Sequence, residues 1–365
     1  MTKPTSRASL AGAQLESRLQ DDIFGHDTTR YDEQYPTLPE LRRKESLSEP
    51  VDVDLAKSNT VLYLAYGSNL CDETFLGKRG IRPLSATNVV VPDLKLTFDL
   101  PGIPYSEPCF ANSARRSHKD SDKRPFSSGS KTRDYHKNRW TKGLVGVVYE
   151  VTKTDYSTII ATEGGGASYN DILIDCYPLS DDQNDLVPEV PTSMAFKAHT
   201  LFAPADPTTR PTTTLDAPLR RPDPSYAQAS ARYLKLITDG AKQRKLPYEY
   251  RRFLDQIRPY TITKPSQRVG MFVLMTIWSP FILLLFGLSK MFAGKDGKAP
   301  GWIAWLFAAL FRAVWISYDD FFKPIFGDGE RSLTDNEDLT SLTPPLEKRS
   351  SSQRSLNEKA SALPR

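Results

Sequence analysis

Histidine is scarce in this chain. The four histidines, at positions 26, 118, 136 and 199, are scattered rather than clustered, so a zinc site is not expected. The three cysteines, Cys71, Cys109 and Cys176, form neither a paired framework nor a close metal-ligand spacing. Met1 to Gln20 lacks the apolar core of a secretory signal, and the main domain is therefore expected in a reducing compartment. A strong charge of one sign is also missing. The net charge of +4 over 365 residues is too mild to imply a nucleic-acid partner by itself. Charge is absent altogether from one long run, Val269 to Ser289.

That run is one of two apolar stretches near the C-terminal end. Its 21 residues, bracketed by Arg268 and Lys290, match the roughly 30 Å hydrocarbon core of a bilayer. The interior Pro280 is tolerated in a membrane span. The second stretch, Gly301 to Tyr318, carries Arg312 near its centre, which costs about 2.5–3.5 kcal/mol on insertion scales. Trp302, Trp305, Trp315 and Tyr318 suit an interface, so 301–318 is expected as a second span or an interfacial helix. Together, 268–326 form the expected membrane region, with membrane lipid as partner.

The length allows one or two folded units plus tails. Residues 1–58 are rich in Ser, Thr, Pro and charge, with few apolar clusters to offset ordering entropy, and are expected as a disordered tail. Residues 327–365 are polar and Ser-rich and are expected to behave likewise. The folded domain is expected over 59–263. Within it, residues 113–139 form a basic loop insertion holding Ser127-Ser128-Gly129-Ser130. Anionic lipid could attract that loop by about 1 kcal/mol per basic residue near the surface; a solvated insertion is the other reading.

The domain opens on Val61-Leu62-Tyr63-Leu64-Ala65-Tyr66, an apolar run of strand length, followed at once by Gly67-Ser68-Asn69. Glycine permits conformations denied to other residues, and a row of N–H groups at a strand end can cradle an anion. Taken alone, the triplet reads more simply as plain strand-to-turn punctuation, because such turn clusters are common. Leu94, Leu96, Phe98 and Leu100 alternate as one face of a half-buried strand. Gly143 to Val151 reads as a second buried strand, and Ile172–Tyr177 and Met194–Ala203 as further ones. Ser225 can cap a helix whose stripe is Tyr226, Ala229, Tyr233, Ile237 and Ala241. Leu246-Pro247 opens another helix, ended by Pro259.

Glu163 stands out within the domain. Tyr156, Ile159 and Ile160 predict a short helix that stops at Gly164, and Glu163 is its last residue. The negative end of the helix dipole raises a carboxylate's pKa, as a general acid/base requires. The alternative is a solvent-exposed turn acid.

These motifs together resemble the γ-glutamylcyclotransferases. Tyr63 to Leu70 is similar to the opening strand and loop of that family, and Gly143 to Val151 to its central strand. Glu163-Gly164 falls where the family carries its catalytic glutamate, and Tyr226 to Pro259 is similar to its closing helices. The resemblance covers about residues 59–263. It implies an α+β fold, a small mixed β-barrel with flanking helices, followed here by one or two membrane helices. It implies intramolecular aminolysis of a γ-glutamyl amide, giving 5-oxoproline and a free amine, without metal or cofactor. Glu163 would be the general acid/base. Tyr66, Gly67, Ser68, Asn69 and Leu70 would hold the γ-glutamyl group, with Thr200, beside His199, where the family has a substrate-contacting tyrosine. The substrate is then a γ-glutamyl amino acid, γ-glutamylamine or glutathione-related conjugate, and the catalytic domain faces the cytosol. A catalytically silent γ-glutamyl sensor or membrane-tethered scaffold is the competing class.

Overall fold

The computed structural model describes residues 34–48, 59–116, 137, 139–163, 170–203, 221–223, 225–292, 294 and 300–332. In chain order the elements are α1 (Glu40–Ser46), β1 (Thr60–Ala65), β2 (Ser85–Val91), β3 (Leu94–Ile103), β4 (Glu107–Arg115), β5 (Leu144–Thr152), α2 (Lys153–Thr162), β6 (Asn170–Pro178), β7 (Phe196–Phe202), α3 (Ala231–Gln243), α4 (Tyr248–Gln256), α5 (Pro265–Phe292), α6 (Gly301–Ser317) and α7 (Lys323–Phe326).

Five strands close a barrel in the order β1-β5-β2-β6-β7. The two runs with the most continuous apolar sequence lie side by side: β1 pairs antiparallel with β5 from Thr60↔Thr152 to Ala65↔Val147. A strand buried on both faces needs such a run rather than an alternating one. β7 closes the barrel parallel to β1 at Tyr63↔His199, so the sheet is mixed. β3 and β4 form a separate hairpin whose register shifts between Thr97 and Leu100. That irregularity interrupts the expected alternation, and Leu100 is half-buried where Leu94, Leu96 and Phe98 are buried.

The helices pack on this core by their apolar stripes. Tyr156, Ile159 and Ile160 are the buried residues of α2, as their spacing predicts. On α3 the stripe is Tyr233, Ile237 and Ala241, but the helix starts later than expected. Its cap is Ser230, whose side chain accepts the Tyr233 N–H, and not Ser225. Tyr226 and Ala229 therefore precede the helix. A competing turn explains the shift: the Asp223 carboxylate accepts both the N–H and the hydroxyl of Ser225. Gly240 is the close-contact point of α3. A Cβ there would lie 2.5 Å from Cys71 N and Leu70 C, so only glycine lets α3 sit on the loop after β1.

Two stretches expected as tail are partly ordered. Pro36 accepts the Ala86 N–H at 2.8 Å, Thr37 bridges to Ala86, and Leu38 is 1% exposed in the core. Burial of one leucine and three or four hydrogen bonds against a formed barrel wall offset the ordering cost of this short segment. Likewise 327–332 returns to the domain. Glu330 O accepts the Gln228 N–H and Gly329 O the Tyr105 N–H, both within 2.9 Å. The basic insertion begins later than position 113: Ser113 to Arg115 finish β4, and Arg116 N–H donates to Asp93 O. Most of that loop, Gly164-Gly165-Gly166, and the remainder of both tails lie outside the described residues.

Helices α5 and α6 run antiparallel and touch along their length. Leu285, Ile303 and Phe307 form one apolar cluster. Leu274, Trp315, Tyr318 and Phe322 form another with Tyr105 of the β3–β4 turn. Pro280 lies inside α5. Both Pro265–Ser289 and Gly301–Phe326 are long and apolar enough to cross a membrane.

Candidate functional site

The end of β1 delivers Tyr63 and Tyr66 to one mouth of the barrel, and the chain then turns sharply. Ser68 to Leu70 form a single 3₁₀ turn in which Leu70 N–H bonds Gly67 O and Cys71 N–H bonds Ser68 O, both at 3.1 Å. The N–H groups of Gly67, Ser68 and Asn69 lie ahead of the first bonded donor, as at any helix start. Gly67 has φ −109°, which any residue can adopt. Its glycine character reflects crowding: a Cβ would meet Tyr233 Oη at 3.3 Å.

Tyr63, Tyr66, Gly67, Ser68, Asn69, Ala111, Glu163, Thr200, Leu201 and Tyr233 line an open pocket. The Glu163 carboxylate reaches it from the end of α2, where the Glu163 N–H closes the helix on Ile159 O at 3.0 Å. Asn69 Nδ2 donates to Glu163 Oε1 at 3.1 Å and to Tyr63 Oη at 2.8 Å. The amide thus ties the turn after β1 to the acid after α2, 94 residues apart. Arg79 Nη2 also donates to Glu163 Oε1, at 2.5 Å. Its Nη1 reaches Ile159 O at 3.4 Å and Thr162 Oγ1, so Arg79 caps the helix end and grips the acid together. The helix terminus alone would place a partial negative charge near Glu163; the fold adds a full positive one. Oε2 of Glu163 takes no partner among the described residues.

Three phenols complete the wall. Burial pushes the Tyr63 hydroxyl well above its usual pKa, with the Glu163 charge adding to it. Burial does the same first at Tyr66 and Tyr233. All three are therefore neutral donors at physiological pH. Tyr66 Oη donates to Leu201 O at 3.1 Å, and Tyr233 Oη accepts the Ala111 N–H at 3.2 Å.

Of the residues expected at the site, Tyr66, Gly67, Ser68, Asn69, Glu163 and Thr200 converge on this pocket. Leu70 does not: it is fully buried in the core under α3, and its N–H is bonded within the turn. Thr200 lines the pocket, but its hydroxyl donates to Leu64 O at 3.2 Å. His199 is outside the lining set, and its Nδ1 lies 3.0 Å from Asp171 Oδ1, as strand alternation requires of a neighbour of Thr200. Sequence reasoning missed Arg79 and the pocket-facing role of Tyr233. Tyr233 was visible as a stripe residue; Arg79, in a Lys-Arg-Gly turn, carried no signal of a distant partner.

A mixed five-stranded barrel whose mouth gathers a strand-end turn and a helix-end glutamate defines an acid-bearing small-molecule pocket. The comparisons place it in a family. The chain is 30% identical over 275 residues to gamma-glutamyl cyclotransferase gliK of Aspergillus fumigatus, spanning 74% of this chain and 89% of that protein. It is 29% identical over 284 residues to gamma-glutamyl cyclotransferase aclK of Aspergillus oryzae, spanning 75% and 91%. The chain belongs to the gamma-glutamyl cyclotransferase family. A family profile described as the AclK C-terminal domain matches residues 264–325, the two apolar helices. Among solved structures, a gamma-glutamyl cyclotransferase aligns with TM-score 0.35 and 20% identity, over 56% of this chain and 92% of that one. A human protein described as uncharacterized protein loc79017 aligns with TM-score 0.36 and 20% identity, over 57% and 93%.

Proposed function

We propose that this protein cyclises a γ-glutamyl amide to 5-oxoproline and releases a free amine or amino acid, with Glu163 as general acid/base. The observation that carries this reading is that Glu163 and the Gly67–Asn69 turn line one pocket and are joined through Asn69. The relatives named gamma-glutamyl cyclotransferase support the same reaction class.

The chemistry is balanced within the substrate. The N–H groups of Gly67 to Asn69 bind the substrate's α-carboxylate, replacing water as donors. That places the α-ammonium beside Glu163, whose unpartnered Oε2 takes a proton. The neutral amine attacks the γ-carbonyl carbon five atoms into the ring. A tetrahedral centre forms, Glu163 passes its proton to the departing nitrogen as the bond to it breaks, and the freed carboxylate then takes the second proton of the ring nitrogen and hands it to the released amine, which leaves as an ammonium. No covalent enzyme intermediate is required, and holding amine and carbonyl together removes much of the entropic barrier. Asn69 Oδ1, buried and without a donor among the described residues, is a second acceptor for the ammonium. Arg79 fixes Oε1 so that Oε2 keeps one direction. The two apolar helices hold the enzyme on a membrane, with lipid as their partner.

The test is 5-oxoproline release by full-length protein in detergent from a panel of γ-glutamyl dipeptides and amines. Turnover of at least one member, abolished by Glu163→Gln with ligand binding retained, is the expected result. Activity surviving that change would remove Glu163 from the mechanism. Binding without turnover across the panel would favour a sensor.

A further inference from the structure

The two apolar helices are rooted in the catalytic domain at one end and joined to each other at the other. At the rooted end, Trp315 Nε1 donates to Gly102 O at 3.1 Å, and Tyr105 Oη donates to Gly327 O at 2.8 Å. Ser266 Oγ, at the start of α5, donates to Phe326 O at 3.0 Å, where the second helical stretch ends. Gly270 is packed so closely on Phe326 that a Cβ would fall 2.7 Å away. Arg221 then bridges Asp319 and Glu330, drawing the chain after the helices back to the domain. At the far end, Phe292 and Trp302 meet edge to face at 5.5 Å. The result is a hairpin whose described ends meet at Phe292 and Trp302, and the sequence that links them is its tip.

Among the described residues, nothing covers the hairpin's outer faces. Phe272 is 71% exposed, Leu283 65% and Met291 68%. On α5 such residues run from Val269 to Phe292, about 35 Å at 1.5 Å per residue. On α6 they run from Trp302 to Ile316, about 21 Å, before Asp319 and Asp320 reach an exposed surface. These lengths bracket the roughly 30 Å hydrocarbon core, and local thinning absorbs the shorter one. The tip sequence, Ala293-Gly294-Lys295-Asp296-Gly297-Lys298-Ala299-Pro300, is charged. A charged tip cannot rest among acyl chains and must reach water on the opposite side. Basic residues are more numerous at the rooted end, with Arg258, Lys264, Arg268, Lys323 and Arg331 against Lys290, Lys295 and Lys298 at the tip. That bias puts the rooted end in the cytosol.

We propose that α5 and α6 cross the bilayer as a two-span hairpin fastened to the catalytic domain, with the pocket and the chain after Ser332 on the cytosolic side and only the 293–300 tip on the other. The proposal rests on the membrane reading above and goes beyond it in fixing the number of spans and the side of every segment. Lipid is the occupant, because the exposed apolar side chains of α5, from Val269 to Phe292, spread over more than half of its circumference, wider than the one stripe that a protein partner would cover, and α6 adds Trp302, Trp305 and Ile316 on its own outer face.

The experiment uses full-length protein in sealed microsomes and a membrane-impermeant maleimide. Cys71, Cys109 and Cys176 are buried and give a low background. Asp181→Cys on the domain and Ser352→Cys in the tail are expected to label in sealed vesicles. Lys298→Cys is expected to label only after detergent, by at least tenfold. Trypsin on the sealed vesicles, followed by mapping, is expected to cut the tail and spare the tip lysines, which covers the case of a variant that misfolds. Equal labelling of Lys298→Cys before and after detergent would overturn the two-span hairpin while leaving the protein membrane-bound. Release into alkaline carbonate, as monomer or as an oligomer whose copies cover each other's helices, would overturn the membrane reading itself. Failure to make 5-oxoproline would bear on the catalytic proposal alone.

Discussion

Glu163 and Glu330 are each held by an arginine, yet in different ways. Glu330 has both oxygens occupied: Arg221 Nη2 lies 2.8 Å from Oε1 and Arg221 Nε 3.1 Å from Oε2, while Lys323 is 3.3 Å from Oε1. Its side chain is 2% exposed. Glu163, which lines the pocket with 23% of its side chain exposed, has one oxygen occupied twice, by Arg79 and Asn69, and the other without a partner among the described residues. A saturated, buried carboxylate stabilises structure, because removing a partner strands a charge. A carboxylate held by one oxygen keeps its direction and still has a lone pair for a proton. The number of partners and access to the pocket, more than proximity to arginine, separate Glu330 from the proposed base, Glu163.

The comparison can be broken in several ways. The largest expected effect is Glu163→Gln, which should cut kcat for 5-oxoproline release by about 10²–10⁴-fold, the range for loss of a positioned acid/base, with the melting temperature little changed. An unaltered kcat would equate Glu163 with Glu330 in role. Glu330→Ala should do the reverse. It leaves Arg221 partly uncompensated and is expected to cost about 3–5 kcal/mol, read as a fall in detergent-solubilised thermal stability, with kcat of the surviving folded fraction preserved. A stable Glu330→Ala protein would deny that the latch fastens anything.

Arg79→Met sharpens the contrast. It leaves Oε1 held by Asn69 alone and lets the acid wander, which should lower kcat by about 10–100-fold, the scale of a misplacement near 1 Å. KM for a γ-glutamyl dipeptide should move less, since Gly67 to Asn69 keep their donors. Were KM to rise with kcat unchanged, Arg79 would bind substrate directly instead of orienting the acid. The smallest effect is expected for Thr200→Val. The Thr200 hydroxyl donates to Leu64 O, so its loss should cost about 1 kcal/mol of stability and shift kcat/KM less than fivefold. A larger catalytic effect would restore Thr200 as a substrate contact.

Much of the barrel was legible because its burial is carried by local pattern. The run through Leu62 and Leu64 and the run through Val145, Val147 and Val148 can only be central strands, and they pair with each other. The Tyr156, Ile159, Ile160 spacing marked α2, and with it the position of Glu163. Ordered segments with little apolar content were missed. Leu38, with Tyr35 packed on the core and a few hydrogen bonds, anchors 34–48, and Asp328 and Glu330 anchor 327–332 through charge and hydrogen bonds. No composition window registers a single leucine or a buried acid as core. The cap of α3 was misplaced by five residues because two serines compete, and only contacts made elsewhere choose between them.

The order of apolar strands, the helix ending at Glu163 and the uncharged run after Arg268 were written in the amino-acid sequence, because each depends on residues a few positions apart. Bringing Asn69 and Arg79 onto Glu163, turning Leu70 away from the pocket and folding 327–332 under the helices were settled only by tertiary structure. Those contacts join residues about 80 to more than 200 positions apart, and local preference is blind to a partner that distant.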